Sequence, residues 1–400
     1  MIEKVDNRPL KGMRVIEVGQ LLAGPFTGTI LGYFGAEVIK IEPPKIGDPI
    51  RGWREVKDGT SLWWRSLSRN KKCITIDLKN KEGQHLLQKL VRTADVFVEN
   101  FRPGTMEKWG LGPEDVKKEN PGMIYARISG YGQTGPYAEK AGFASVCEAF
   151  GGFRYVNGFP GGPPVRPNIS IGDTLAGIHA ALGVLLAYIG RQKSGDGQVV
   201  DVAIFEGLFN LLEGVIPEYD GAGIIREPSG TAITGIVPTG TYRCKDDKLI
   251  VIGANTNSMF KRLTTVMQKP EIGTDPRLTE NAGRVEHQAE VEDAIEAWTL
   301  SLNSEDALSK LDSAAVAAGP ILNVKDMFEN EQYQARELFQ KVTINGEPLM
   351  IPAIIPKLSK TPGKTNFPGP ELGQHNDEVL KDVLGLSTAE IDTLKTEGII

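Results

Sequence analysis

The arrangement that most constrains this chain lies in its first 42 residues. Met13–Val18 (MRVIEV) is an apolar run of strand length, and Glu37–Glu42 (EVIKIE) is a second. Between them, Gly19–Gly35 is an apolar, small-residue segment that predicts a helix beginning near Pro25. Strand, helix and strand over about 30 residues form a βαβ unit, whose crossover makes the two strands parallel. Parallel strands are covered on both faces, so the unit predicts a layered α/β core.

The next stretches extend that core. Ile74–Leu78 reads as a strand after the basic Arg69–Lys72, Lys81–Arg92 as an amphipathic helix, and Asp95–Glu99 and Met123–Ser129 as further strands. Together they predict a doubly wound sheet. Leu175, Ile178, Leu182, Leu185, Leu186 and Ile189 recur at helical spacing, and Lys193 and Gly195 close the run. Asp173 is expected at, or one residue from, the N-cap of this helix, where unpaired N–H groups and the helix dipole keep a carboxylate ionised. Periodicity alone makes it a helix cap. The apolar stretch Leu175–Ile189 carries His179 and is shorter than a membrane span.

Val199–Ala203 reads as a strand, followed by an apolar segment over Ile204–Leu212. Residues 219–241 are rich in Gly, Pro and Thr and predict a linker. Beyond it, Lys248–Ile252 reads as a strand and Ser258–Val266, Val291–Ser301 and Ser304–Leu311 as helices. The expected organisation is a large domain from residues 1–218, a linker at 219–241, a small α+β domain at 242–326, and a return linker with the rest of the large domain at 327–400. Asp377–Leu384 and Thr388–Glu397 are short terminal helices. For 400 residues, more than one core is expected.

Composition narrows the function classes. A net charge of −6 and the lack of a Lys/Arg cluster argue against nucleic-acid binding. Met1–Leu10 has neither a signal-peptide core nor transit-peptide character. Cys73, Cys147 and Cys244 lie far apart, and the four histidines are scattered, so neither a disulfide framework nor a metal site is expected. A reducing, cytoplasmic compartment fits, with no membrane partner.

The motif search excludes more than it admits. Gly130–Tyr131–Gly132–Gln133–Thr134–Gly135 matches G-x-G-x-x-G, but Pro136 follows it and no acidic residue ends a later strand. These glycines are expected to shape a turn that brings backbone close to a ligand. Neither a P-loop nor a G-x-S-x-G nucleophile elbow occurs. Asn100, Phe101 and Arg102 directly follow a strand, with Lys108 close behind. An amide, a flat ring and positive charge in that place could hold an adenine nucleotide, although composition alone favours a surface turn before a helix.

Several blocks then occur in a fixed order: LKGMRVIEVG, LAGP, LGYFGAEVIKIEPP with GDPIRGW, NKKCITIDLKNKEG, ADVFVENFRPG, ISGYGQTGP, IGDTLAG and LGQHNDEVL. In these the chain resembles the class III CoA-transferases, the formyl-CoA and L-carnitine CoA-transferase family, over nearly its whole length. The resemblance implies a Rossmann-like large domain with a smaller α+β domain, in a homodimer of interlocked, ring-like chains. It places the catalytic aspartate on Asp173. It places CoA contacts at Leu22, Ala23, Ile76, Lys79, Asn100, Phe101, Arg102, Lys108, Ser129 and Tyr131. CoA and its thioesters are then substrates, with no permanently bound cofactor. Some members carry Gln where this chain has Leu22, and a basic residue where it has Pro43 or Ser129. The glycine-run loop of formyl-CoA transferases is replaced by Gly235–Ile236–Val237–Pro238–Thr239–Gly240, whose Gly235 and Gly240 are candidate substrate contacts.

The implied chemistry is covalent catalysis by a carboxylate, through an aspartyl anhydride and an aspartyl-CoA thioester. A related α-methylacyl-CoA racemase needs a His/Asp pair, and its His position falls on Phe143, which cannot transfer a proton. A non-catalytic CoA-binding protein is the other alternative. The acid substrate is expected to be a dicarboxylate with succinyl-CoA as donor. Arg51, Arg54, Arg166 and Arg243 are the candidate carboxylate partners by residue type.

Overall fold

A computed structural model describes residues 6–400; part of the N-terminal stretch read above, residues 1–5, lies outside them. The described chain forms two compact units. One comprises residues 6–153, Pro167–Glu213 and Arg336–Ile400, and the other Arg154–Arg166 and Gly214–Ala335.

The larger unit is built on six parallel strands: β1 (Arg14–Glu17), β2 (Glu37–Glu42), β3 (Lys71–Thr75), β4 (Val96–Glu99), β5 (Ile124–Ser129) and β6 (Val199–Ala203). Their order across the sheet is β3-β2-β1-β4-β5-β6. This is the doubly wound order that reverses between β1 and β4, leaving a crevice beyond the carboxyl ends of those two strands. Helix α1 (Ala23–Tyr33) joins β1 to β2, and α2 (Lys81–Val91) joins β3 to β4. The short α3 (Pro113–Glu119) precedes β5. After β5 come α4 (Ala144–Phe150) and the long α5 (Ile171–Ser194); α6 (Ile204–Phe209) follows β6.

Small residues let α1 and α5 lie close. A Cβ added at Gly177 would meet the Ala23 carbonyl at 2.9 Å, and the Thr27 hydroxyl donates to the Gly177 carbonyl at 3.2 Å. On α5 the buried stripe is Ala176, Ala180, Ala181, Val184 and Ala187. With 24 residues, α5 is longer than the spacing predicted, and by length and composition it meets the requirement for a membrane span. Its buried side nevertheless packs in the core with α1 and the sheet. The opposite side exposes Ile178, Leu182, Leu186 and Ile189 by 44, 51, 61 and 58%.

The smaller unit contains α7 (Val215–Ala222) and an antiparallel sheet of β7 (Thr239–Arg243), β8 (Leu249–Gly253) and β9 (Ala318–Pro320), in the order β9-β8-β7. Helices α8 (Asn257–Val266), α9 (Gln288–Leu300) and α10 (Ser304–Ser313) cover it through Phe260, Leu263, Val291, Ile295, Ala307 and Leu311. The fully buried Arg284 donates to the Val237, Asn255 and Leu278 carbonyls at 2.8, 2.8 and 3.0 Å.

The chain returns through the hairpin β10 (Phe339–Ile344) and β11 (Glu347–Pro352), then α11 (Asn376–Asp382) and α12 (Thr388–Thr396). The return covers the open edge of β3. Cys73 N–H donates to His375 Nδ1 at 3.1 Å, and Thr75 N–H donates to Asn376 Oδ1 at 2.8 Å. Covering an edge strand in this way removes a site for unwanted pairing.

Three local expectations change. Residues 219–241 are not a bare linker: α7 occupies the first of them and β7 begins at Thr239. The units divide at Gly214 and Arg336 rather than near 219 and 327, and Arg154–Arg166 belongs to the smaller unit. Such boundaries follow long-range packing, which local composition does not record. Strand β3 starts at Lys71, inside the basic stretch, because Lys71 is buried against Glu17 at 3.0 Å.

Candidate active site

The candidate CoA contacts collect at the carboxyl edge of the sheet. Leu22 and Ala23 follow β1, Ile76 and Lys79 follow β3, Asn100–Arg102 and Lys108 follow β4, and Ser129 ends β5 with Tyr131 just beyond it. The segments after β1 and β4 flank the crevice of the doubly wound sheet, and the one after β5 is next in line.

Asp173 lies in the first turn of α5, one turn before the Gly177 contact with α1. Ser170 is the N-cap of α5, so Asp173 is the third helical residue rather than the cap. The helix starts earlier than the apolar periodicity suggests because Ile171 and Gly172 already have helical backbone, and the Thr174 N–H and hydroxyl both return to the Ser170 carbonyl at 3.1 and 2.8 Å. The first turn of a helix is still where its dipole stabilises negative charge. Gly177, one turn further on and on the same face, is the residue pressed against the Ala23 carbonyl. The α1–α5 contact thus places the Asp173 turn next to the β1–α1 turn.

Asp173 is half-buried, and Cys147 of α4, which packs on the glycine turn, feels its charge. Burial, aided by the charges of Asp173 and Glu148, pushes the Cys147 thiol up to about 11. Cys147 Sγ lies 3.3 Å from the Gly130 carbonyl. A Cβ at Gly130 would come within 2.8 Å of the Gly142 Cα, so the two backbones touch only because both residues are glycine. Gly132 and Gly135 have φ of 84° and 88°. No helix follows this motif before Ala144, so it is the expected turn and not a dinucleotide fingerprint. Glu148 is fully buried, with its Cγ 3.4 Å from the place a Gly172 Cβ would take.

The structure redistributes several expected contacts. Asn100 is spent on the protein: its Oδ1 accepts from Gln20 N–H at 2.7 Å and its Nδ2 donates to the Gln20 carbonyl at 2.8 Å. It therefore shapes the β1–α1 turn instead of presenting an open amide. The Ile76 side chain is core, whereas Lys79 is exposed. Phe101 is half-buried with Trp109 edge-on at 5.5 Å, and Arg102 and Lys108 are exposed. Ser129 is buried and accepts from Gln133 Nε2 at 3.3 Å. Tyr131 joins Tyr137, Phe150 and Phe205 in an aromatic group with centroids 5.1–6.2 Å from its own.

The substrate-side candidates fare differently. Arg51 is buried, grips Glu42 with two hydrogen bonds of 2.7 Å, donates to the Pro370 carbonyl and lies over Trp64 at 3.6 Å. It is a structural arginine, because the strand carboxylate at Glu42 reaches it first. Arg54 is exposed and stacks over Trp63 at 4.3 Å. In the smaller unit, Gly240 is a buried β7 residue whose missing Cβ makes room for the Tyr242 hydroxyl, so it is a packing glycine. Gly235 is exposed with φ of 79°, Arg166 is exposed, and Arg243 is exposed and paired with Asp247 at 3.3 Å.

A group of buried charges beneath the β1–α1 turn escaped the sequence reading. Lys40 donates to the Gly19 carbonyl and to Asp48 Oδ2, the latter at 2.8 Å, and lies 3.4 Å from Glu17. Burial alone would lower the Lys40 pKa; Asp48, Glu17 and Glu42 outweigh it and raise it. Lys71 bonds Glu17 at 3.0 Å and the Pro25 carbonyl at 2.6 Å. Asp48 accepts from Leu21 N–H at 3.1 and 3.2 Å, and Leu21 has φ of 63°. A left-handed non-glycine residue costs on the order of 1–3 kcal/mol and persists only where its surroundings hold it. The clue lay in EVIKIE, where a strand read as buried carries Lys40 and Glu42.

A doubly wound fold with a crevice at its switch point belongs to the class of α/β folds that bind nucleotide-type ligands there. The family model of CoA-transferase family III matches residues 10–376. The chain belongs to that family, and is an enzyme of it. Among curated proteins it is 48% identical over 396 residues to a succinyl-CoA–D-citramalate CoA-transferase of Chloroflexus aurantiacus, covering 98% of each. It is 36% identical over 385 residues to a succinate–glutarate CoA-transferase of Agrobacterium fabrum, covering 94% of this chain and 96% of that one. Among solved structures it resembles a CaiB/BaiF family protein from Brucella suis, with a TM-score of 0.84, 32% identity, and coverage of 94% of this chain and 100% of that one.

Proposed function

We propose that this enzyme moves CoA from succinyl-CoA to a dicarboxylate acceptor, with Asp173 as the nucleophile. The observation that carries the reading is the α1–α5 contact, in which Gly177, one turn after Asp173, packs against the start of α1 beyond β1. The relatives named for succinyl-CoA, citramalate and glutarate support the substrate class.

The chemistry closes without a proton transfer. The Asp173 carboxylate attacks the succinyl thioester carbonyl, the C–S bond breaks, and CoA leaves as thiolate from an aspartyl–succinyl anhydride. The thiolate attacks the aspartyl carbonyl of that anhydride, releasing succinate and leaving an aspartyl-CoA thioester. The acceptor carboxylate attacks this thioester, forming a second anhydride and freeing the thiolate again. Attack of the thiolate on the acceptor carbonyl then gives the new acyl-CoA and restores Asp173. Each addition develops an oxyanion that backbone N–H groups stabilise. The first turn of α1 bears no side-chain cap and supplies such groups. Phe143, at the N-cap of α4, bears no titratable group, which argues against proton-transfer chemistry of the racemase kind.

CoA is placed along Leu22, Ala23, Lys79, Phe101, Arg102, Lys108 and Tyr131, with Ile76, Asn100 and Ser129 shaping the surface beneath. The working form is a homodimer of interlocked chains. The aliphatic row Ile178, Leu182, Leu186 and Ile189 on α5 supports a protein partner on that face. Three buried free thiols support a reducing, cytoplasmic setting.

Trapping with succinyl-CoA and hydroxylamine, followed by peptide mass spectrometry, tests the reading. A hydroxamate on Asp173 is expected; modification at another carboxylate, or none, rejects the assignment. Light scattering tests the dimer: Leu186→Lys is expected to shift the enzyme toward monomer.

A further inference from the structure

We infer that Asp48 is a positioning residue for the transfer, acting through the backbone of Leu21 on the turn that receives the acyl-CoA. The inference rests on the proposed placement of acyl-CoA against Leu22 and Ala23. Asp48 itself is 1% exposed and does not reach the crevice.

Four polar backbone groups of the turn before α1 are held from outside the turn. The Gly19 carbonyl accepts from Lys40, both polar groups of Gln20 are bonded by Asn100, and Leu21 N–H is shared by the two Asp48 oxygens. Lys40 and Asn100 act on residues free to adopt ordinary backbone. Asp48 acts on the one residue with left-handed φ, and Leu21 has a side chain that disfavours this conformation. Without the carboxylate, Leu21 is expected to relax toward negative φ and to carry Leu22 and Ala23 with it.

Asp48 is suited to hold the turn because it is itself immobile. Its backbone N–H donates to Glu42 Oε2 at 2.9 Å, its Oδ1 accepts from Ile50 N–H at 3.1 Å, and Lys40 clamps its Oδ2. Glu42 is fixed by Arg51, and Arg51 by the Pro370 carbonyl. A relay of buried groups therefore runs from the C-terminal return to Leu21. Ala23, two residues later, presses its carbonyl on Gly177, one turn from Asp173. A change at Leu21 would alter the distance between the thioester and its nucleophile, and transfer rates are sensitive to displacements of this size.

The test uses the full-length enzyme and three variants: Asp48→Asn, Leu21→Gly and the double variant. Steady-state kinetics with succinyl-CoA and a dicarboxylate acceptor are read beside thermal unfolding. Asp48→Asn is expected to lower kcat at least tenfold with KM for the acceptor within twofold of the parent. Glycine adopts positive φ unaided, so the same Asp48 substitution in the Leu21→Gly background is expected to lower kcat by less than threefold. Equal losses in both backgrounds, or an undiminished kcat in Asp48→Asn, overturn the inference. Should Asp48→Asn fail to fold, Leu21→Val carries the test, since a β-branched residue resists left-handed φ with Asp48 intact. A kcat equal to the parent's overturns the inference, and a fall of threefold or more supports it. Hydroxylamine trapping of the parent enzyme separates the two levels: an untrapped parent removes the acyl-CoA placement, whereas a trapped parent with an undiminished Asp48→Asn removes only the role of Asp48.

Discussion

Two sets of charges on the same parallel sheet are handled in opposite ways. Around Glu37, Arg14 pairs at 2.7 Å and Lys72 at 2.9 Å, with side chains still 28–31% exposed. Beneath the β1–α1 turn, Glu17, Lys40, Lys71 and Asp48 are no more than 1% exposed. Charges at a rim give up little hydration and gain little by pairing. Charges in the interior give up much, and removing one partner leaves the other uncompensated. The chain tolerates that cost at the crevice end of the sheet, where the buried groups hold backbone in place: the Gly19 carbonyl, the Leu21 N–H and the Pro25 carbonyl all end on them. Asp173 belongs to neither set, being half-buried at the start of a helix. The difference separates charges that hold backbone in place from the one proposed as the nucleophile.

Asp173→Ala sharpens that separation most. Activity is expected to fall by at least ~10³-fold, while urea unfolding changes by less than about 1 kcal/mol, the scale of a first-turn dipole contact. A variant that loses stability and keeps its turnover would break the distinction. Lys71→Ala is expected to do the reverse, costing about 3–5 kcal/mol because Glu17 is left buried and undercompensated. A loss below about 1 kcal/mol in denaturant titration would show that the interior set is energetically no different from the rim.

The covered edge of β3 gives a pH test of intermediate size. Burial, with nearby Lys72, lowers the His375 pKa below 6.5, consistent with Nδ1 accepting the Cys73 N–H. The folded state therefore binds its proton less tightly than the unfolded chain. The stability this contributes is fully present above pH 6.5 and is lost as pH falls from there through the folded-state value. The slope is at most about 1.4 kcal/mol per pH unit, and unfolding midpoints between pH 7.5 and 5.5 should show it in the parent and not in His375→Gln. Smallest of all, Arg14→Ala at the rim is expected to cost about 0–1 kcal/mol, measured the same way.

The parallel architecture was legible because its signals are local. MRVIEV, EVIKIE and VVDVA carry strand-type residues at strand length, and the first two are spaced for a crossover. The hairpin β10–β11 was equally legible and went unread: Asn345–Gly346 between KVTI and EPLMIP is a two-residue turn, with φ of 50° and 83°. The start of α5 was misplaced by the width of a cap, since Ser170–Ile171–Gly172 carries no apolar period to announce a helix. Arg51 and Asn100 were misjudged for a different reason. Residue type says what a guanidinium or an amide can bind, but Glu42 and Gln20 claim them only after the strands align.

By itself, the sequence determined the layered α/β core, the position of a carboxylate opening a long helix, and, through its ordered blocks, the enzyme family. Hydrophobic period, turn residues and motif order are properties of neighbours along the chain, and they survive without coordinates. Only the tertiary structure decided which charges are interior, where the chain passes between its two units, and that Gly177, one turn after Asp173, lets α5 approach Ala23 closely. Those outcomes depend on groups far apart in sequence competing for the same partner or the same space, and that competition is settled only when the sheet and its helices close together.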